Sequence, residues 1–195
     1  MEENRKQRKK YIADFSLVKA GKKPKKKRMK RIEIYLLIVA SAIVLGYAFI
    51  AFMFQTVKVV GPSMQGTLRD GDVIVISKIG KMFGIDRNDV VAIKQPENDY
   101  YSIKRVVAKP GDTVQIIGGK LYVNEKLQEK FADKIIINSG IASELIKLDQ
   151  NQYFVLGDNV NSSDDSRFKN MDIVQKTDIK GIAIYRLSPE KGRIR

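Results

Sequence analysis

The stretch YYSIKRVVAKPGDTVQIIGGKLYVN, residues 100–124, decides the fold class of this chain. It alternates short runs rich in Val, Ile and Tyr with the turn signals PGD and GG, and such runs are typical of β-strands. Gly118 and Gly119 predict a two-residue hairpin, because glycine adopts the positive backbone angles of that turn without steric strain. The stretch therefore predicts consecutive antiparallel strands.

Similar runs occur on both sides of this stretch, at TVKVVG, DVIVISK, DVVAIKQP, NQYFVLGD and IKGIAIYRL. Long stretches with helical periodicity do not occur beyond residue 54. Residues 55–195 are therefore predicted to form a mostly β domain built on an antiparallel sheet. Residues 120–151 are more polar and less regular, and we expect a smaller lobe or an excursion from the sheet there.

A long apolar segment, Ile34–Phe54, precedes these strands and holds no charged residue. At about 1.5 Å per residue, a helix of this length matches a hydrocarbon core of about 30 Å, which predicts a single transmembrane anchor over residues 34–54. A cleaved secretory signal is one alternative, but the run is longer than usual and lacks a clear small-x-small exit. A buried helix of a soluble protein is the other alternative.

Positive charge is concentrated before the apolar segment. The chain has a net charge of +14, and residues 1–33 carry most of it, including the run KKPKKKRMKR. No aromatic residue is interleaved with that run, as a nucleic-acid surface would need, so we predict a basic cytoplasmic tail near membrane lipid and no nucleic-acid partner. By the positive-inside rule, the domain at 55–195 then lies on the extracytoplasmic face of the cell membrane.

The absence of two residue types limits the chemistry of the chain. It has no histidine, which excludes a Ser-His-Asp triad, and no cysteine, which excludes thiol nucleophiles and disulfides. Metal sites built from Cys and His are excluded with them. We therefore expect neither a metal nor another cofactor.

Ser63 is the candidate nucleophile. It lies in GPSMQGTLRDGD, residues 61–72, a glycine-punctuated turn that follows the apolar run. A serine nucleophile needs a base, and without histidine the candidates are Lys, Asp, Glu and Tyr. A lysine can act as the base only when it is neutral, so its pKa must fall well below the usual value of about 10.4.

Lys104 is the candidate base. Strand alternation in YYSIKRVVA places apolar residues on both faces around it, which predicts burial. Burial and the positive charge of the adjacent Arg105 would both lower the pKa of Lys104. The alternative is a lysine on an edge strand whose ammonium reaches solvent.

Four motifs in this order resemble the type I signal peptidases of peptidase family S26, in their bacterial Ser-Lys form: SMQGTL after an anchor, GDVIVISK, IKRVVAKPGD and VLGDNVNSSDDSR. The resemblance covers the chain from the anchor to about Arg167 and is closest to Gram-positive members. It implies a signal-peptidase/LexA-like β fold and a membrane-bound serine endopeptidase without a cofactor. The implied substrates are exported preproteins with small-x-small cleavage sites, and the secretion translocon is a further candidate partner.

Carried onto this sequence, the resemblance makes Ser63 the nucleophile and Lys104 the general base. Met64 would line the substrate cleft and shield this dyad from water.

The resemblance also implies supporting residues. Arg105 would pair with Asp158, and Ser163 would orient the amine of the catalytic lysine by a hydrogen bond. Asp165 and Arg167 would form a structural ion pair beneath the site. The alternative is that GDNVNSSDDSR is an ordinary polar turn; as a calcium loop it lacks the glycine and glutamate of the EF-hand pattern.

Three positions depart from the family pattern. Gly61 stands where some members carry a hydroxyl residue that serves as an oxyanion donor, Gly66 stands where proline is frequent, and Val160 stands where arginine is frequent. Glycine at the first position also resembles Gram-positive members and is not read as a loss of activity. Two alternative functions stay open. One is a catalytically inactive relative that binds or assembles exported proteins, and the other is a self-cleaving regulator with the same chemistry.

Overall fold

The structure is a computed structural model that describes residues 2–19, 30–94 and 100–194. Most of the basic run predicted as part of the cytoplasmic tail, residues 22–29, lies outside the described residues. The chain divides into two compact units, Met1–Leu45 and Gly46–Arg195.

The described part of the chain contains three α-helices: α1 (Glu2–Lys19), α2 (Arg31–Met53) and α3 (Gly80–Phe83). Of these, only α2 is long and apolar enough to cross a membrane, with a mean hydropathy of 2.5. None of its residues is buried against the rest of the protein. The helix ends one residue before the predicted anchor does, because Phe54 already belongs to the first strand.

The strands are β1 (Phe54–Lys58), β2 (Val73–Ser77), β3 (Val90–Lys94), β4 (Tyr101–Ala108), β5 (Thr113–Ile117), β6 (Lys120–Val123), β7 (Lys126–Leu127), β8 (Ile146–Lys147), β9 (Gln152–Leu156), β10 (Val174–Gln175), β11 (Ile179–Ser188) and β12 (Gly192–Arg193). Short 3-10 helices cover Glu129–Phe131, Gly140–Ser143 and Val160–Ser162. Each run predicted to be a strand contains all or part of a β-strand of the structure.

Within the described residues, the strands form an eight-stranded and a four-stranded sheet. The larger has the order β1-β2-β11-β3-β4-β9-β10, with β12 beside β11, and the smaller has the order β7-β6-β5-β8. Every pairing is antiparallel, which confirms the predicted fold class. The predicted hairpin is also confirmed, because β5 and β6 pair at Ile117 and Lys120 around two glycines with positive φ.

β4 runs through the centre of the apolar core. Ile103, Val106 and Val107 belong to three different clusters of buried side chains, so this strand is packed from several sides. All of its residues from Ile103 to Ala108 are buried. A polar side chain in that interval therefore leaves water when the chain folds, which decides the environment of Lys104.

Candidate active site

Ser63 lies in a tight turn between β1 and β2. The turn is closed by backbone hydrogen bonds from Gln65 to the carbonyl of Pro62 at 3.0 Å and from Leu68 to the carbonyl of Met64 at 2.8 Å. Ser63 is half-buried, whereas Met64 and Leu68 are buried in the core. The turn therefore places its apolar side chains in the core and leaves the serine partly accessible to solvent.

Lys104 approaches this serine from the middle of β4. Its backbone is paired with Val91 of β3, and its side chain is only 5% exposed. The Nζ atom lies 2.9 Å from the Oγ atom of Ser63 and donates a hydrogen bond to it. The structure thus brings together the two residues that the sequence predicts as nucleophile and base, which are 41 residues apart.

Burial lowers the pKa of Lys104 below its ordinary value, because an ammonium group loses hydration inside the protein. The negative charges of Asp165 and Asp164 oppose this effect, and the positive charge of Arg167 adds to it. Arg105, the cation expected from the sequence, is paired with Asp158.

Arg105 and Asp158 form the predicted ion pair. The Nε and one terminal nitrogen of Arg105 donate to the two carboxylate oxygens of Asp158, each at 2.7 Å. Thr67 joins them, because its Oγ1 donates to Asp158 at 2.5 Å and accepts a bond from Arg105 at 3.2 Å. Burial raises the pKa of the Asp158 carboxyl, but the hydrogen bonds from Arg105 and Thr67 outweigh it and hold that pKa below its usual range.

This cluster also fixes the backbone beside the nucleophile. The amide of Asn159 donates to the carbonyl of Ser63 at 2.9 Å, and the Nζ of Lys134 donates to the carbonyl of Asp158 at 2.5 Å. Sequence reasoning missed Thr67, Asn159 and Lys134 as contributors. Thr67 and Asn159 lie inside the motifs SMQGTL and GDN, which was a usable signal, whereas Lys134 lies in no motif.

Asp165 and Arg167 form the second predicted pair, and both are buried. The guanidinium donates to the two oxygens of Asp165 at 2.8 and 3.0 Å and to the carbonyls of Asn138 at 2.9 Å and Val160 at 2.5 Å. Asp165 also accepts a bond from the amide of Gly157 at 3.1 Å. The pair therefore holds the loop between β9 and β10 to the loop that contains Asn138, so its role in holding backbone is larger than the sequence suggests.

Ser163 does not make the predicted hydrogen bond to Lys104. Among the buried side-chain nitrogen and oxygen atoms of the described residues, its Oγ is the one without a hydrogen-bond partner. Gly157 lies against it, since a Cβ atom at that position would collide with the Ser163 Oγ and approach the Ser63 carbonyl oxygen to 2.5 Å. Ser163 is therefore close to the dyad, although its predicted contact is not formed.

Met64 also differs from its expected position. Its side chain is fully buried and packs in a core cluster with Val57, Leu68 and Ile103, so it does not line an open cleft. Within the described ranges, no group of three or more His, Cys, Asp and Glu side chains could hold a metal ion. What the site offers chemically is a serine hydroxyl in contact with a desolvated lysine amine.

Comparison with known proteins identifies similar chains. Residues 31–188 match the family described as signal peptidase, peptidase S26. Signal peptidase I of Bacillus licheniformis is 31% identical over 157 residues, 76% of this chain and 84% of that protein. Signal peptidase IB of Staphylococcus aureus is 30% identical over 174 residues, 80% of this chain and 88% of that protein. The crystal structure of a signal peptidase I from Enterococcus faecalis, 26% identical, covers 50% of this chain and 95% of that chain with a TM-score of 0.40.

Proposed function

Since the chain belongs to the signal peptidase family, peptidase S26, we propose that it is a membrane-anchored serine endopeptidase that removes N-terminal signal peptides with a Ser63–Lys104 dyad. The observation that carries this proposal is the 2.9 Å contact between the Lys104 amine and the Ser63 hydroxyl. Burial supports it further, because it lowers the pKa of Lys104 and so favours the neutral amine that a base requires.

In the proposed reaction, neutral Lys104 takes the proton of the Ser63 hydroxyl while the Oγ attacks the scissile carbonyl. The tetrahedral oxyanion accepts a hydrogen bond from the backbone N–H of Ser63. Lys104 then returns the proton to the leaving amine, the C–N bond breaks, and the signal peptide is left as an ester of Ser63. Lys104 next takes a proton from water, the resulting hydroxide cleaves the ester, and the proton returns to Ser63.

The substrate segment before the cleaved bond is proposed to bind as an extended strand beside β1. β1 is the terminal strand of the larger sheet, and it leads along the chain towards Ser63. The side chain of Gln55 on β1 donates a hydrogen bond to the hydroxyl of Tyr101 at the start of β4, the strand that carries Lys104. A strand added to such an edge presents alternate side chains to the enzyme, which suits a small-x-small motif.

The proposed location follows from charge and the apolar helix. α2 would cross the membrane, the basic residues before it would remain in the cytoplasm, and residues 55–195 would work on the outer face. Exported preproteins are then the substrates, membrane lipid surrounds the anchor, and the secretion translocon is a candidate partner.

The test is cleavage of a preprotein whose signal ends in Ala-x-Ala by the detergent-solubilised protein, with product masses measured. The wild type should cut after the second alanine, and Ser63→Ala and Lys104→Ala should each lose at least about 10³-fold in rate, since either change removes one half of the nucleophilic pair. Lys104→Arg should be equally inactive, because arginine cannot deprotonate near neutral pH. An active Lys104→Arg variant would refute the general-base assignment.

A folded wild type that leaves the preprotein intact would instead favour the inactive binding or assembly factor. Folding is checked in the same samples by thermal unfolding followed by circular dichroism.

A further inference from the structure

An open groove with a volume of about 540 Å³ adjoins the nucleophile turn. It is lined by Gln65, Gly66, Lys134, Ile135, Asp158, Asn159, Val160 and Asn161. Gln65 and Gly66 in one wall follow Ser63 by two and three residues, and a second wall contains Asn159, whose amide donates to the Ser63 carbonyl. The groove therefore adjoins the turn that carries Ser63, and the mechanism proposed above does not use it.

Lys134 and Ile135, which line another wall, belong to a loop of the smaller lobe that carries two exposed isoleucines, of which Ile135 lines the groove. Ile135 is 65% exposed and Ile137 is 81% exposed, and we call this pair the isoleucine ledge. Ile136, between them, is buried, and its amide donates to the carbonyl of Gly119 at 2.9 Å. The ledge thus projects from a loop that is fixed by its own core residue.

Asn161 ties this loop to the active-site side of the groove. Its Nδ2 donates to the carbonyl of Ile135 at 2.9 Å, and its Oδ1 accepts a bond from the amide of Ile137 at 3.1 Å. Both isoleucine backbones are therefore held by one side chain of the groove while their apolar side chains remain in solvent. Single exposed apolar side chains are common, but these two lie on one loop whose backbone is held in place, at a groove next to the turn of Ser63.

We propose that this groove binds the substrate segment that follows the cleaved bond, and that the isoleucine ledge contacts an aliphatic side chain within that segment. The proposal rests on the peptidase function proposed above. If the signal segment lies along β1 and reaches Ser63 from that side, the chain must leave on the other side of the turn. Gln65 and Gly66 form the wall there, so the groove is where the residues after the cleaved bond arrive.

The polar lining of the groove fits an uncharged extended segment. Gln65 and Asn159 offer amide groups that can bond a peptide backbone, whereas the amide of Asn161 holds the isoleucine loop. Lys134 adds a positive charge, whereas the carboxylate of Asp158 is already paired with Arg105. A lysine in the substrate segment is therefore disfavoured, and leucine or isoleucine is favoured.

The test uses the full chain in detergent with two peptides that share one signal sequence. The long peptide has four residues after the cleaved bond, with leucine at the second and third, and the short peptide has only one. The double variant Ile135→Asn/Ile137→Asn should lose roughly tenfold in kcat/KM on the long peptide, mainly through KM, because it removes apolar contact made equally in the ground state and the transition state. The loss should be confined to the long peptide.

Ile117→Asn is the matched control, because Ile117 is 56% exposed on β5 of the same lobe but does not line the groove. It should cleave both peptides like the wild type. A second measurement needs no variant: the wild type should prefer leucine over asparagine, and asparagine over lysine, at the two tested positions of the long peptide.

Equal losses on both peptides, or no loss on the long one, would refute the groove assignment while cleavage itself upheld the peptidase function. A lack of preference in the leucine, asparagine and lysine series would refute it as well. A wild type inert towards both peptides would overturn the peptidase proposal, and the groove assignment with it.

Discussion

At the scale of single residues, the reactivity proposed for Ser63 depends on the protonation state of Lys104. Burial lowers the pKa of that lysine, while Asp165 and Asp164 raise it. The backbone conformation of the nucleophile turn explains its glycines. Gly61 and Gly66 have φ values of +84° and +107°, so a hydroxyl residue at the first position would be strained and proline at the second could not fit.

The dependence of kcat/KM on pH should report this base. Because the reactive form is the neutral amine, the rate should rise with pH through an apparent pKa below 10.5. In Asp164→Asn, the loss of an exposed negative charge that raises the Lys104 pKa should move this rise to lower pH. Asp149→Asn, another exposed aspartate, is the control and should leave the profile in place. A shift to higher pH in Asp164→Asn would contradict this electrostatic account.

Gly157 should tolerate no side chain. A Cβ atom added at Gly157 would collide with the Oγ of Ser163. It would also lie 2.5 Å from the carbonyl oxygen of Ser63. Gly157→Ala should therefore displace the nucleophile and reduce kcat by about 10²-fold. The control is Gly192→Ala, where an added Cβ meets nothing within 4 Å. Wild-type kcat in Gly157→Ala would show that the turn can move without cost.

At the scale of elements, the site is made where β4, β9 and the nucleophile turn meet. β9 pairs with β4 from Arg105 to Ala108, and the loop after β9 supplies Asp158 to the arginine. Thr67 carries the same hydrogen-bond network into the nucleophile turn. The strands were predictable because alternation and turn residues are local signals. Which loops they bring together depends on strand order, which no local pattern contains.

The Arg105–Asp158 pair should be essential to stability as well as to the site. Asp158→Ala leaves a fully buried guanidinium without its carboxylate and should lower the free energy of unfolding by about 3–5 kcal/mol. Glu190→Ala removes an exposed partner of Arg186 and should cost about 0.5 kcal/mol or less. Denaturant unfolding of both variants in detergent measures the contrast. Equal effects would mean that the buried pair contributes no more than a surface pair.

At the scale of the whole molecule, the chain combines a basic segment, one apolar helix and a β domain. The apolar run and the charge before it were evident from composition, and α2 covers that run in the structure. The strands of the smaller sheet lie between Thr113 and Lys147, whereas the sequence predicts a lobe around residues 120–151. The smaller sheet begins earlier than the predicted lobe because β5 pairs with β6.

The absence of cysteine allows the proposed orientation to be tested directly. Single substitutions Lys6→Cys and Lys191→Cys introduce one thiol before and one after α2, at exposed positions. A membrane-impermeant thiol reagent added to intact spheroplasts should label Lys191→Cys and should label Lys6→Cys only after lysis. The reverse pattern would place the β domain in the cytoplasm.

The sequence by itself determined the fold class, the apolar helix, the excluded chemistries and the pairing of Ser63 with Lys104, because periodicity, composition and ordered motifs are properties of the linear chain. Only the tertiary structure decided that Arg167 acts on Lys104, that Met64 lies in the core, and that Ser163 makes no hydrogen bond to the lysine. It also decided that the loop with the isoleucine ledge borders a groove next to the turn of Ser63. Burial, electrostatic fields and hydrogen bonds act through space at distances of a few ångströms, and folding alone determines which distant residues come that close.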